Sequence, residues 1–435
     1  MKIYFGNKVL RIGVPSNTNY PFWGMAFVVA VLLASLFLTH YLVYLAFFVC
    51  IYRMVKYDLP VFSVDYCILL PLSTLFRASG GMALLVYLSI LAVIWYLFRR
   101  GIRANLALLV TFLLAIYLLL RFKTTNYVLV LSQMFLLYIM LPRQNAQSAE
   151  NSVKGFCVSL FISSLYALIF RHTYQVQALR GAEVPAFLGS PFYRFQGLFA
   201  DPNYFNVMLI VGIAILLKLK DLQRVTVSFF CLIGGSLVLF GLLTYSKSFF
   251  LCLILLVGIY VLWLFRDRKV FWASLIAIAV ILAAAVMLLL EFSPLMVILQ
   301  RFSGKQTLSS MTTGRTDLFL LYWAQITKSF GNFFIGLGQN AYRLYRDPHN
   351  LYLEIMYHTG FVGLSLFAMY VFAMIWEARK KIKGQHMRNF FSKYAVLIVI
   401  LTAFCALHGM FSVLLYGIFY LAFLSVMLIR KPEVK

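Results

Sequence analysis

The chain has 435 residues, of which 63% are hydrophobic and 12% charged, with a formal net charge of +25 and a mean hydropathy of +0.90. This composition excludes a soluble domain, and the lack of period-two alternation excludes a closed strand barrel. The charge invites a nucleic-acid partner, but its placement along the chain removes that reading, so no nucleic-acid partner is expected.

Runs of about 17–25 apolar residues recur throughout, which predicts an all-α polytopic membrane protein forming one integral membrane domain over 1–435. No cleavable signal is expected, because the first 20 residues lack a continuous apolar core. Spans are expected over 22–39, 41–55, 63–77, 82–98, 104–121, 126–142, 153–170, 204–219, 225–243, 247–265, 270–290, 352–377, 393–409 and 411–430. Reading the first two as one tilted helix leaves thirteen, with the N-terminus outside. The six cysteines all fall in apolar runs without CxxC spacing, which supports neither a disulfide framework nor a zinc site.

Fourteen spans put both termini in the cytoplasm. The stretches FRRGIR, KLKDLQR, FRDRK and EARKKIKGQHMR then face inward, so most of the 38 Lys and Arg residues form a topology signal supported by anionic lipid headgroups. Thirteen defy it: Arg77, Arg121, Lys123, Arg171, Arg180, Arg194, Lys247, Arg301, Lys305, Arg315, Lys328, Arg343 and Arg346. The last ten lie in three outer connections: a loop over 171–203, the tight turn TYSKS at 244–248, and a long loop over 291–351. Long loops in compact proteins tend to carry function. A locally basic outer surface suits an anion such as phosphate or pyrophosphate.

The first loop ends YRFQGLFADPN, where Arg194 precedes a turn and Asp201-Pro202-Asn203 opens a span. The bland reading is a helix cap with a snorkelling arginine. Lys247, between Ser246 and Ser248, reads alone as an interfacial lysine. In the long loop, Thr313 or Thr316 can cap a helix over about 316–329, too short and polar to span and expected to lie on the membrane surface. Arg315 at its start would combine helix amides with a guanidinium as an anion cradle. Gly331, Gly336 and Gly338 read as turn punctuation, and GLG is no nucleotide fingerprint.

The stretch DPHNLYLEIMYHTGFVG at 347–363 places polar groups at a span mouth, where they are expensive. His349 and Asn350 open the span, and Glu354 and His358 share a face. Gly360 and Gly363 are expected to let another helix approach closely. HExxH spacing is absent, so a metal is not expected, and His358 reads as a buried, hydrogen-bonded side chain. His349 sits at the exit to water, where a histidine can take a proton from a hydroxyl.

These residues together resemble the O-antigen ligase and O-antigen polymerase superfamily of bacterial membrane glycosyltransferases. The family pattern of His, then Asn, Ser or Gln, nine residues, Gly, two residues and Gly is similar to His349-Asn350, residues 351–359, Gly360 and Gly363. RFQGLFADPN resembles the family's Arg–Gly–Asp-Pro-Asn span opening, and TGRTDLF its Gly-Arg loop start. The resemblance is specific from about 190 to 365 and in the spans that follow. It implies a C-type glycosyltransferase fold of about 12–14 transmembrane helices in the bacterial plasma membrane, with its site on the outer side and no metal or other cofactor. It implies an undecaprenyl-pyrophosphate-linked glycan donor and a glycan acceptor, with a chain-length regulator and a flippase as working partners. By position, Arg194, Lys247 and Arg315 would hold the pyrophosphate, with Arg343, Arg346 and Asn350 as further substrate contacts and His349 as base. Ligases of the family usually carry arginine where Lys247 stands, which points toward a polymerase. Ligation of finished glycan to a lipid core, and transport of a lipid-linked oligosaccharide, are the other readings.

Overall fold

The computed structural model describes residues 2–5, 8–11, 20–77, 83–100, 105–121, 126–180, 193–264, 315–338, 348–381, 390–406 and 413–428. They form an all-α polytopic membrane protein with one small N-terminal hairpin, in which Lys2–Phe5 pairs antiparallel with Lys8–Arg11. The expected span at 270–290 lies outside the described residues, as do Arg343, Arg346 and Thr313.

The helices follow the apolar runs. They are α1 (Phe22–Ala34), α2 (Tyr41–Lys56), α3 (Leu59–Leu69), α4 (Leu84–Arg100), α5 (Leu106–Arg121), α6 (Asn126–Met140) and α7 (Ala146–Ile169). A short α8 (Tyr174–Arg180) falls in the first outer loop, where no helix was expected. Then come α9 (Pro202–Asp221), α10 (Val227–Leu243), α11 (Lys247–Leu264), α12 (Arg315–Ile326) and α13 (Phe330–Ile335). The chain closes with α14 (Leu351–Lys380), α15 (Phe390–Ala403) and α16 (Val413–Val426). Three of these, α7, α9 and α14, are long and apolar enough to cross a membrane by length and composition, and eight shorter stretches are apolar as well. The first apolar stretch is two helices and not one tilted span, because the chain turns at Thr39-His40.

The chain divides into two compact units. The first comprises Met1–Ser163, Ser365–Gln385 and Phe411–Ile429. Its α6 packs against α4, α5 and α16, and α2 against α1, α3 and α4. The α16 helix is apolar on every side and its residues 418–424 are fully buried, as such a helix must be. Several buried polar side chains of this unit pair with one another. Ser63 Oγ lies 2.6 Å from the Tyr420 hydroxyl and 3.2 Å from Ser152 Oγ, and the Tyr66 hydroxyl donates to Gln133 Oε1 at 2.9 Å. Arg53 and Asp65 form a buried two-bond ion pair, Nε to Oδ2 and Nη2 to Oδ1, both 2.8 Å. The Tyr20 hydroxyl donates to the same carboxylate at 2.5 Å, and Arg53 Nη1 to the Pro21 carbonyl at 3.1 Å. Burial and the Asp65 charge hold the Tyr20 phenol well above its ordinary pKa.

The second unit comprises Ser164–Leu364, His386–Met410 and Arg430–Lys435. In it α9, buried along most of its length, packs on α10, α11 and α15, and α11 also packs on α15. Two helices depart from regular geometry. The α10 helix carries a π segment at Phe230–Gly234. The α14 helix breaks at Gly360, whose φ of 66° and ψ of −170° no helix contains.

Candidate functional site

The first piece is a crossing of two connecting segments in the second unit. Gly197 reverses the incoming loop with φ +59°, and a side chain there would run into the Phe205 ring. Asp201 then caps α9 by accepting from Asn203 N at 2.7 Å, with Pro202 in the first turn. The cap expected from ADPN is therefore present, and it leaves Arg194 seven residues upstream with a separate task. Arg194 Nε donates to the Thr244 carbonyl at 3.0 Å, and Phe195 N to the Leu243 carbonyl at 2.9 Å. The loop is thereby stitched to the α10–α11 turn. Thr244 is three residues before Lys247, which begins α11 half-buried. Arg194 and Lys247, 53 positions apart in sequence, thus belong to one structural corner. Ser246 and Ser248 bond to each other across the turn at 2.8 Å.

Arg171 reaches the same corner. It follows directly on the end of α7, and its Nη2 donates to the Tyr193 carbonyl at 3.2 Å, next to Arg194. Its charge also acts on Tyr245. Burial raises that phenol above its ordinary value, and Arg171 draws it back down. Sequence reading counted Arg171 among the outward cations and gave it no role. The signal available was its position, a cation immediately past a span on the side that should lack them.

The second piece is the mouth of α14. His349 is half-buried with φ +47°, and the side-chain oxygen of Asn350 caps α14 by accepting from Leu353 N at 3.1 Å. Asn350, expected to contact substrate, therefore has its oxygen in a helix cap. Among the described residues, non-glycine side chains take positive φ at Gln223, Tyr245 and His349. Two of the three fall in the two pieces of this site. Such backbone strain persists where surrounding structure over-determines it, and it clusters at functional sites. His358, expected to be buried, is half-buried with its ring edge-on to Tyr357 at 5.4 Å.

Both pieces rest on one support. Lys247 starts α11, which packs on α15, and the Tyr352 hydroxyl, three residues after His349, donates to the Leu401 carbonyl of α15 at 2.7 Å. Both the lysine helix and the first turn of the histidine helix therefore meet α15.

The third piece is the outer-loop segment. Arg315 opens α12, with Asp317 in its first turn. The helix was expected over 316–329; it ends at Ile326, and Ser329 caps a second helix, α13, by accepting from Asn332 N. Tyr322 and Ile326 of α12 pack on Leu353, Met356 and Tyr357 of α14, with the Tyr322 and Tyr357 rings edge to face at 4.8 Å. The opposite side, with Phe319, Leu320 and Trp323, is exposed. Gly360 adds to the sequence reading. It does bring a neighbouring helix close, since its backbone meets the end of α13 at Phe334–Gly336, but it does so by breaking α14, with Gly336 at φ +72°. A Cβ on either glycine would stand 2.5 Å from main-chain atoms of the other segment. Leu337 N donates to the Tyr357 carbonyl at 3.0 Å, supplying a partner where the helix ladder is interrupted. The segment headed by Arg315 is thus fastened to the helix headed by His349. Among the described residues, no group of three or more His, Cys, Asp or Glu side chains lies together as a metal site.

Residues 232–368 match the O-antigen ligase family model, Wzy_C. The match takes in Lys247, Arg315, His349 and both glycines of the pattern, and supports the O-antigen ligase and polymerase superfamily resemblance and glycan transfer of that general type. No curated protein and no solved structure matches the chain.

Proposed function

We propose that this membrane glycosyltransferase is a polysaccharide polymerase that moves a glycan from undecaprenyl pyrophosphate to a sugar hydroxyl of a lipid-linked repeat unit, outside the membrane. The observation that supports this most is that the Lys247 helix packs on α15 while Tyr352 of the His349 helix bonds the Leu401 carbonyl of α15, with Arg194 bonded into the Lys247 turn.

In this reading His349 accepts the proton of the acceptor hydroxyl as its oxygen forms a bond to the anomeric carbon. The bond from that carbon to the pyrophosphate breaks with inversion, and the electron pair leaves with the lipid pyrophosphate. Arg194, Lys247 and Arg315 stabilise charge where it grows, which is the effect that lowers a barrier. Fixed protein cations would carry the charge stabilisation, and the reaction is proposed to need no metal. Arg343 and Arg346 would guide the donor, a chain-length regulator and a flippase would work beside the enzyme, and the site would open outward with both termini in the cytoplasm.

The test is reconstitution in vesicles with lipid-linked repeat units. Wild-type protein should lengthen the glycan in the presence of a chelator, and His349→Ala should not lengthen it although it inserts and folds normally. Polymer at the wild-type rate from that variant would end the base assignment. The ligase reading is favoured by the description of the matching family. Offering a lipid-core acceptor beside the repeat unit separates the two, since a ligase would label the core and leave the repeat unit at its original length.

A further inference from the structure

We propose that α13 is seated in the membrane: its apolar face, Phe330, Phe334 and Ile335 together with Phe361 of α14, is covered by phospholipid acyl chains of the leaflet on the His349 side. Lipid thereby holds the segment headed by Arg315 at a fixed depth. The inference goes beyond the expectation of a surface helix over 316–329, because Gly331, Gly336 and Gly338 read in sequence only as turns. It rests on the chain being a helical membrane protein and not on the polymerase reading.

The first observation is depth. Residues 355–376 of α14 contain no Asp, Glu, Lys or Arg, and Glu354 and Glu377 bound them. At about 1.5 Å per residue the stretch runs about 33 Å, against a hydrocarbon core of about 30 Å. Phe361 lies six residues after Ile355, roughly 9 Å inside the stretch, and is exposed. The rings of α13 meet it there. Phe333 stacks on Phe361 with centroids 6.2 Å apart, Phe334 meets it edge to face at 6.1 Å, and Phe330 lies 4.3 Å from Phe334. Phe330 is 79% exposed, and Ile335 is exposed as well.

The second observation is which atoms face outward. Gly336, Gly338 and Gly360, where the backbone leaves helical geometry, are all buried. Polar groups around them are bonded: Gly336 N donates to the Asn332 carbonyl, Leu337 N to the Tyr357 carbonyl and Asn332 Nδ2 to the Gln325 carbonyl, each at 3.0 Å. A turn in water leaves its backbone to solvent and tucks its rings inward. Hydrocarbon demands the reverse, since non-helical backbone at membrane depth is tolerated only where protein buries it, while apolar rings there lose nothing by exposure.

The third observation selects the occupant. The link between α12 and α13, Thr327-Lys328-Ser329, is exposed and polar and stands directly before Phe330. A lysine beside an exposed ring is the pattern of a membrane interface, where the ammonium reaches the phosphates and the ring enters the chains. A face buried against a second copy of the chain has no need of that cation.

The test places a photoreactive benzophenone side chain at position 330 of the full chain, or at 317 for comparison, in vesicles of phosphatidylethanolamine and phosphatidylglycerol without glycan donor. Mass spectrometry after irradiation reads what each position captures. Position 330 should yield acyl-chain adducts about tenfold more often than exposed Asp317 at the polar start of α12. The same label at Ile335 should behave as at 330, so the outcome does not hang on one variant. Adducts no more frequent at 330 and 335 than at 317 would overturn the inference, as would capture of a second copy of the chain in place of lipid. Capture that appears only when a lipid-linked glycan is added would overturn it too, since the donor's own tail would then be the occupant. Acyl-chain adducts in a chain that transfers no glycan would overturn the polymerase reading and leave this one standing.

Discussion

Arg53 in the first unit and Arg194 in the second face the same physical difficulty and resolve it differently. Arg53 is buried and grips a carboxylate with two bonds, with a phenol and a carbonyl filling the remaining positions. Arg194 is only partly buried and is oriented by a carbonyl. A cation matched to an acid serves the packing of the chain, whereas the Arg194 bond to a carbonyl ties two connections together. The two units divide along the same line. In the first, a Ser63–Ser152–Tyr420 set and a Tyr66–Gln133 pair join buried polar groups. In the second, the positive-φ residues Tyr245 and His349 and the helix break at Gly360 fall in the pieces of the candidate site.

The contrast would break first at His349. Replacement by alanine should reduce glycan transfer about 10²–10⁴-fold with no change in melting temperature, measured on reconstituted vesicles; a large loss of stability instead would place His349 among the packing groups. Next comes Arg53→Ala, which strands Asp65 in the interior and should destabilise the protein by about 3–5 kcal/mol. The paired change Arg53→Met with Asp65→Leu should be far milder, and what folds of either should keep its donor KM. A raised donor KM in the paired variant would erase the distinction between units. Arg194→Ala should raise donor KM by roughly tenfold to a hundredfold, the equivalent of about 1.5–3 kcal/mol, while stability falls little. Arg315→Ala should act in the same direction, and Arg315→Lys should recover only part. The smallest effect is expected from Gly336→Ala, which forces a side chain into the Gly360 crossing and should lower stability by about 1–3 kcal/mol, read from thermal unfolding. An unaltered melting curve would show that the crossing can relax.

Much of this was legible in the chain because hydrocarbon enforces it. A span must be apolar and about twenty residues long, so boundaries such as 41–55 and 247–265 fall within a residue of α2 and α11. Asp201-Pro202-Asn203 announced a helix start through its chemistry, and the structure has the cap. Less legible were features that depend on what a segment meets. The Arg53–Asp65 pair joins two spans whose sequences say nothing about facing each other. Gly360 reads in sequence as a small residue between helices, and that it is also a break depends on Gly336, which only the fold brings to it. Arg171 stood out by sidedness alone, since its bond to the Tyr193 carbonyl spans 22 positions of chain.

The interruption at Gly360 also has a mechanical consequence. The residues from Leu351 to Thr359 are bonded to the outer segment through Leu337 and to α15 through Tyr352, so they belong with the outer assembly and not with the rod that continues below. A bilayer that is too thick or too thin tilts the rod. The break at Gly360 lies eleven residues after His349, so such a tilt is expected to be absorbed before it reaches the imidazole.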